Sequence, residues 1–344
     1  MKILIIGDVH FSQYSSIVRK RGNIYSKRLE NLIQSLNWAE DLADKNKCNM
    51  VIYLGDLFDK PVLNNEELTA LTDITWSDSP HYFLCGNHEI NSRNTAINSA
   101  NILFLDNSSN VISNPYKLKI DNSLELCFLP YIFEDERKTI ADYFGPCSVN
   151  RLIFSHNDIK NFQFGRFLSK EGFDINDIEN NCDFYFNGHL HNSSNVTNKI
   201  INVGNITGQN FSEDAFLYEH RVIIFDTDSM SFSSIENPFS INFYKIDFTK
   251  EDVTTIDFMS LITKQNAVCT VKCFEKDKEA VQSWLDNNSM EYRILIQPET
   301  SEKDNSFVSS ESLSVDHIEK FREYIAANFD MTELVKEELL EICK

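Results

Sequence analysis

The sequence predicts an α/β fold in which strands and helices alternate along the first third of the chain. Two observations indicate this class. Short, continuous apolar runs such as Met50–Leu54 are typical of strands that are buried on both faces. Apolar residues recur at helical spacing over about 26–46, which predicts an amphipathic helix covering the sheet. With strands also predicted at Lys2–Ile6 and His81–Cys85 and a helix at Asn64–Ile74, the pattern predicts a β-α-β-α-β core.

The middle of the chain is richer in short strands and loop residues. We predict strands at Ile102–Leu105, Val111–Ile112, Tyr116–Ile120, Leu124–Leu129, Arg151–Ser155 and Phe184–Phe186, and a helix at Asp135–Tyr143. Three further runs are predicted to be antiparallel strands that close a second sheet: Ile200–Val203, Leu217–Phe225 and Ser231–Ile235. Near Asp247 the pattern changes to a compact β-α-β unit (Ala267–Phe274, Lys276–Leu285, Glu291–Ile296), a Ser/Glu/Asp-rich linker and two amphipathic helices.

Length and composition limit the kind of protein. At 344 residues, one large domain with smaller appendages is expected. No run approaches the ~18 apolar residues that span a bilayer. The eight cysteines are scattered without a CxxC pair, which disfavours disulfides and a zinc ribbon and predicts a reducing, cytoplasmic location. A net charge of −20 argues against binding nucleic acid by bulk attraction, but it does not exclude a nuclease whose metal ions supply local positive charge.

Five short polar motifs each follow a strand-like run. They are Asp8-x-His10, Gly55-Asp56-x-x-Asp59, Gly86-Asn87-His88, His156 and Gly188-His189-x-His191, and they contain five of the eight histidines. Each motif alone is weak, because an Asp near a turn is usually a cap and a solitary His is often a hydrogen-bonded core residue. Together they predict a site at the carboxyl edge of the strands, where open α/β sheets gather functional groups.

The residue types in these motifs indicate the chemistry. Carboxylate, imidazole and amide oxygen without thiolate suit Mn²⁺, Fe²⁺ or Zn²⁺ at mixed oxygen and nitrogen sites. Asp56 has two carboxylate oxygens and could bridge two cations. The spacing leaves open which ion each residue serves, because the paired residues of Asp8-x-His10 share one face if extended and diverge in a loop.

In their order and context, these motifs resemble those of the calcineurin-like metallophosphoesterases. Asp-Val-His, Gly-Asp-Leu-Phe-Asp, Gly-Asn-His, Ser-His and Gly-His-Leu-His are similar to the motifs of SbcD-type DNA repair nucleases, and the whole layout most resembles the bacteriophage (T-even-type) recombination nuclease subunit. The motifs cover about residues 1–245. We therefore expect a sandwich of two facing mixed sheets flanked by helices at 1–246, a capping domain at 247–298, a flexible linker at 299–312 and a helical partner-binding segment at 313–344.

The resemblance implies two divalent metal ions, with Mn²⁺ expected and Mg²⁺, Fe²⁺ or Zn²⁺ as alternatives. It assigns one ion to Asp8, His10, Asp56 and His191, and the other to Asp56, Asn87, His156 and His189. Asn87 would also stabilise charge on the phosphoryl oxygens, and His88 would steer the phosphate or protonate the departing 3′-oxygen. The residue after Gly-Asn-His is typically Asp in the family and is Glu89 here, which we predict to hydrogen-bond His88. Asp59 is predicted to cap its turn.

The expected function is metal-dependent cleavage of DNA phosphodiesters in recombination and double-strand-break repair. By resemblance, the nuclease forms a homodimer and works with an SbcC-type coiled-coil ATPase. A phosphomonoesterase or cyclic-nucleotide phosphodiesterase with the same metal set is one alternative, and a catalytically silent DNA-end-binding scaffold is another.

Two sets of residues are predicted to contact macromolecules. A basic cluster could grip DNA phosphates, although a solvated loop and helix start would have the same composition; it consists of Arg19, Lys20, Arg21, Lys27 and Arg28. The C-terminal helices would dock on the partner, or else pack on their own domain. The apolar residues predicted to make that contact are Ile318, Phe321, Ile325, Leu334, Val335 and Leu339.

Overall fold

The computed structural model describes residues 1–13, 22–105, 109–164, 167–250, 262, 264, 266–287 and 291–298. The chain divides into a unit Met1–Gln297, which contains nearly all of these residues, and a second unit Pro298–Lys344. The predicted linker at 299–312 and the helical segment at 313–344 lie outside the described residues, as do Arg19, Lys20 and Arg21. Among the helices in the described ranges, none has the length and hydropathy that crossing a membrane requires.

Two six-stranded mixed sheets form the body of the first unit. Strands are numbered along the chain. The first sheet contains β1 (Lys2–Ile6), β2 (Met50–Tyr53), β3 (His81–Leu84), β4 (Ser109–Ile112), β13 (Arg221–Asp226) and β14 (Ser231–Glu236), in the spatial order β14-β13-β1-β2-β3-β4. The second contains β5 (Tyr116–Lys119), β6 (Leu124–Leu129), β7 (Asn150–Ser155), β10 (Phe184–Asn187), β11 (Ser194–Asn195) and β12 (Ile200–Asn202), in the order β11-β12-β10-β7-β6-β5. Strands β8 (Gln163–Phe164) and β9 (Phe167–Leu168) form a separate hairpin.

Alternation along the strands builds a four-layer sandwich. In β1, Ile3 and Ile5 face the second sheet, whereas Leu4 and Ile6 face helix α1 (Lys27–Asn46). This follows from the period of two in a strand, and all four side chains are fully buried. The outer face of the second sheet is covered by α3 (Ile140–Phe144) and α4 (Ile175–Asn181), with α2 (Asn65–Leu71) lying beside α1. The predicted α/β sandwich of two facing sheets is confirmed.

A third, smaller sheet follows the sandwich. It consists of β15 (Asn242–Asp247), β16 (Ala267–Phe274) and β17 (Glu291–Gln297), all parallel, with α5 (Lys278–Asn287) packed on it through Val281 and Leu285. The predicted β-α-β unit is present, and β15 joins its sheet from residue 242, before the predicted start of the capping domain.

Some predicted elements are wrong. The strands predicted at 217–225 and 231–235 do not close the second sheet, because β13 and β14 extend the first sheet by antiparallel pairing of β13 to β1. The strand predicted at Ile200–Val203 does join the second sheet, but β12 runs parallel to β10. The strand predicted at 102–105 is part of a 3₁₀ helix, Ser99–Leu105. The helix predicted at 135–143 is interrupted, because Thr139 begins α3 as an N-cap and leaves only the short 3₁₀ turn Glu134–Glu136 before it.

Candidate metal centre

The five motifs converge at one edge of the sandwich. Each follows the carboxyl end of a strand: β1 for Asp8, β2 for Asp56, β3 for Asn87, β7 for His156 and β10 for His189. Three of the seven non-glycine residues with positive φ in the described ranges are predicted ligands, namely His10 (50°), Asp56 (47°) and His189 (68°). Left-handed backbone costs free energy outside glycine and gathers at functional sites, where the surrounding structure holds it in place.

Two glycines allow the loops to approach each other. Gly55 has φ of 106°, and a Cβ there would lie 2.4 Å from Nδ1 of His156. A Cβ on Gly86 would lie 2.1 Å from Oδ1 of Asp56. Any larger residue at either position would therefore displace a predicted ligand.

The carboxylates of Asp8 and Asp56 are each fixed by a backbone hydrogen bond to one of their two oxygens. Oδ1 of Asp8 accepts a hydrogen bond from the backbone N–H of His189 at 2.9 Å, and Oδ1 of Asp56 accepts one from the backbone N–H of His88 at 2.9 Å. Oδ2 of Asp56 lies 3.1 Å from Nε2 of His156 and 3.8 Å from Nε2 of His10. One carboxylate oxygen therefore stands between histidines of the two predicted ion sites.

The outer hydrogen bonds of three histidines fix their tautomers. Nδ1 of His156 donates to the carbonyl oxygen of Leu54 at 2.8 Å, because a carbonyl can only accept. Nδ1 of His10 donates to Oδ1 of Asp59 at 3.1 Å, and Nε2 of His189 lies 3.3 Å from Oδ2 of Asp158. In the neutral ring, the other nitrogen then carries a lone pair. Each of these outer acceptors turns that lone pair toward the centre of the site.

The inward lone pairs face other acceptors. Oδ1 of Asn87 lies 3.2 Å from Nε2 of His156 and 2.9 Å from Nδ1 of His189. Acceptor atoms held this close repel one another unless a proton or a cation lies between them. In addition, Oδ2 of Asp8 and Nε2 of His10 are buried and have no hydrogen-bond partner among the described residues. These side chains fit divalent metal ions as the missing partners.

The ligand atoms of the predicted site residues form groups of three that are close enough together to bind one metal ion. Ligand atoms of Asp8, His10 and His191 lie within 4.8 Å of one another, as do those of Asp56, His156 and His189. These two groups correspond to the two predicted ion sites, and Asp8-x-His10 converges despite its non-extended backbone. A third group joins His88 to His10 and Asp56, so His88 lies within reach of the ions.

The charges of the site favour a bound cation. Burial lowers the pKa of His156, but the charge of Asp56 outweighs burial and raises this pKa to about 9. Burial also lowers the pKa of His10, and the hydrogen bond to Asp59 with the nearby carboxylates leaves it raised. Burial raises the pKa of Asp56, yet the charge of His156 holds it well below its usual range. A divalent ion would take the place of these protons, so binding it releases protons.

His88 differs from the other histidines of the site. Its side chain is 38% exposed, and its Nδ1 donates to the backbone carbonyl oxygen of Asp59 at 3.0 Å. Its ring packs edge-on against the ring of His10, with centroids 4.6 Å apart. His88 is thus the member of the set whose ring is fixed on one side and open to solvent on another.

The prediction that Glu89 hydrogen-bonds His88 is wrong. Glu89 is fully buried, and its carboxylate accepts hydrogen bonds from the backbone N–H groups of Asp56 (3.1 Å), Phe58 (2.8 Å) and Gly86 (2.8 Å). Burial, together with the charge of Asp56, raises the pKa of Glu89 to about 8. Its longer side chain therefore ties the loop after β2 to the loop after β3.

Sequence reasoning missed the two outer carboxylates. Asp59 was predicted to cap its turn, whereas its carboxylate contacts His10. Asp158 was not singled out, although it follows His156 by two residues and contacts His189. One signal was available for Asp158, because acidic residues close to a predicted histidine ligand commonly orient such ligands.

The basic cluster is only partly described. Arg28 is 2% exposed and donates from Nη1 to the carbonyl oxygen of Gly208 at 2.6 Å, so the prediction that it meets DNA phosphates is wrong. Its position on the inner face of α1 accounts for the burial. Lys27 is exposed, and its Nζ lies 3.5 Å from Oε1 of Glu291. Its contact with DNA stays a prediction.

Comparison with known proteins identifies the family. Residues 1–193 match the calcineurin-like phosphoesterase family. A solved structure of a dimetal phosphatase from Danio rerio is 14% identical in sequence and has a TM-score of 0.38, with 69% of this chain and 99% of that chain covered. No curated protein sequence matches significantly. The match spans more than half of the chain and includes all five motifs, and the chain therefore belongs to the calcineurin-like phosphoesterases, a family of dimetal phosphoester hydrolases.

Proposed function

We propose that this protein is a Mn²⁺-dependent DNA nuclease, the nuclease subunit of an SbcCD-like complex with a coiled-coil ATPase, and that it acts as a homodimer. The observation that carries the hydrolytic chemistry is the position of Asp56 Oδ2 between His10 Nε2 and His156 Nε2. The order of motifs that resembles SbcD-type nucleases supports DNA as the substrate.

The residues divide the work of hydrolysis. Asp8, His10, His191 and Asp56 would hold one ion, and Asp56, Asn87, His156 and His189 the other. When bound, the two ions lower the pKa of the attacking water and neutralise charge on the phosphoryl oxygens.

The position of His88 is suited to protonating the departing oxygen of the substrate. Its Nδ1–H is donated to Asp59, which leaves Nε2 as the nitrogen that exchanges a proton with substrate. The exposure of the ring allows substrate to reach it. We therefore assign His88 to protonation of the leaving 3′-oxygen, a role that general acids fill with rate effects of about 10²–10⁴.

The third sheet supports a macromolecular substrate. Residues 205–215 join the site to that sheet: the backbone N–H of Ile206 donates to the carbonyl oxygen of Asp8, and that of Ala215 donates to the carbonyl oxygen of Phe243 in β15. This sheet lies outside the family match, which ends at residue 193. Hydrolysis of a small phosphomonoester needs no such extension, whereas a polymer needs further contacts along its length.

The test uses the full chain with Mn²⁺ and labelled linear single- and double-stranded DNA, alone and with its ATPase partner. We expect cleavage that EDTA abolishes and that Asp56→Asn lowers at least 100-fold, on the order expected for loss of a metal ligand. Asp228→Asn is the matched control, since Asp228 is an 87% exposed carboxylate far from the motifs in sequence. Hydrolysis of p-nitrophenyl phosphate or a cyclic nucleotide, with DNA left intact under all conditions, would instead establish the phosphatase or cyclic phosphodiesterase alternative.

A further inference from the structure

A cavity of about 400 Å³ is lined in part by Tyr131, whose ring lies 5.9 Å from the ring of the predicted ligand His189. Its wall includes Tyr131, Ile132 and Phe133, which follow the carboxyl end of β6, and Ser113 and Asn114, which follow the carboxyl end of β4. We call it the Tyr131 cavity. Its volume is at the lower end of the range of about 300–1,000 Å³ for ligand pockets. It is therefore suited to one ring system with its sugar.

The wall of the cavity is tied to two loops that carry metal ligands. The backbone N–H of Tyr131 donates to the carbonyl oxygen of Cys85 at 2.9 Å, directly before the Gly86-Asn87-His88 motif. The backbone N–H of Ile132 donates to Oδ1 of Asn157, the residue after His156, at 3.1 Å. The cavity is thus fixed in place relative to the ions.

Aromatic rings lead from the metal centre into the cavity. The ring of Tyr131 lies 5.9 Å from that of His189, and the ring of Phe133 lies 5.3 Å from that of Tyr131 at 78°. The guanidinium of Arg93 stands 5.1 Å from the Phe133 ring and is held by Asp135 and Glu136. Both rings are half-buried. Half-buried aromatic rings at a phosphate-processing site are suited to stacking on planar groups.

We propose that the Tyr131 cavity binds the nucleobase of a nucleotide adjoining the scissile phosphate, with the base stacked on Tyr131 and its edge against Phe133. This inference rests on the proposed nuclease function and names the part of the substrate that the site reads. A base can enter only when it is unpaired, so the site takes single-stranded or frayed DNA. Stacking accepts every base, which predicts little sequence preference.

The test compares two single-stranded substrates of equal length, an oligothymidylate and the same strand with abasic sites at every position. The full chain with Mn²⁺ should cleave the strand with bases about 10- to 100-fold faster in kcat/KM, on the order of one stacked base. Tyr131→Leu and Phe133→Ala should each bring this ratio toward one. The ratio is insensitive to a general loss of folding or metal, because such a loss slows both strands alike.

Tyr116→Ala is the matched control and should keep the wild-type ratio, because Tyr116 is an exposed aromatic residue on the edge strand β5. A wild-type ratio near one, or a ratio that both variants retain, would overturn the inference and leave the nuclease function standing. If neither strand is cleaved under any condition, the nuclease function fails and the inference fails with it.

Discussion

The outer carboxylate Asp59 should control one metal ion and leave the other unchanged. Its Oδ1 accepts from Nδ1 of His10 at 3.1 Å, and this contact turns Nε2 of His10 toward the buried carboxylates. Asp59→Ala removes the acceptor, so the His10 ring loses both its orientation and its tautomer. Loss of such an outer contact typically weakens metal binding by about 10- to 100-fold. The hydrogen bond from Nδ1 of His88 to the backbone oxygen of Asp59 should survive the substitution, whereas the 3.6 Å contact of that nitrogen with Oδ1 of Asp59 is lost.

Calorimetric titration of the metal-free protein with MnCl₂ measures this effect. Wild-type protein should bind two ions, and Asp59→Ala should retain one ion at wild-type affinity and bind the other about 10- to 100-fold more weakly. Asp158→Ala is the reciprocal variant, because Asp158 lies 3.3 Å from Nε2 of His189 and should affect the other ion. If Asp59→Ala bound both ions as wild type does, or weakened both equally, the assignment of His10 to a single ion would be refuted.

Three further substitutions separate the roles of neighbouring groups. Glu89→Gln points an amide N–H at backbone donors and should weaken Mn²⁺ binding and lower Tm without shifting the alkaline limb of the pH–rate profile, the limb on which a general acid loses its proton. A shift of that limb alone would restore a role through His88. His88→Gln should lower kcat by about 10²–10⁴ while the titration still gives two ions, whereas loss of an ion would make His88 a ligand. Glu40→Gln should cost about 2 kcal/mol of unfolding free energy, since Glu40 accepts from Tyr53, Ser77 and His81. Hydrogen bonds from these partners and the charge of His81 outweigh burial and lower the pKa of Glu40. The ionised Glu40 therefore stabilises the folded protein above the unfolded pKa of about 4.5, and this stabilisation is lost as pH falls through the folded pKa. A difference in unfolding free energy between variant and wild type that does not change with pH in denaturant melts would contradict this.

The strand and helix pattern was predictable where burial enforces a period. The two-faced burial of β1 and β2 produces continuous apolar runs, and the inner face of α1 produces the 3.6-residue repeat. Sheet membership was not predictable for β13. Its side chains alternate between the inter-sheet core (Ile223, Phe225) and the core under α1 (Val222, Ile224), and a strand beside either sheet would have the same apolar run.

The ligand residues could be predicted from residue type and position after strands, but their partners could not. Asp59 contacts His10 and Asp158 contacts His189, and in both pairs the histidine belongs to a motif that is distant in sequence. No spacing rule specifies such a contact. Glu89 was misread because its neighbour His88 is adjacent in sequence, whereas a buried carboxylate is satisfied by the nearest backbone N–H groups. Arg28 was misread because its charge suggested the surface, although it occupies the inner face of α1.

Anomalous scattering from a crystal grown with Mn²⁺ tests the central claim most directly. The account predicts two peaks about 3.5–4 Å apart, with Asp56 Oδ2 between them, one peak beside Asp8, His10 and His191, and the other beside His156 and His189. A single peak, or two peaks of which only one contacts Asp56, would contradict it.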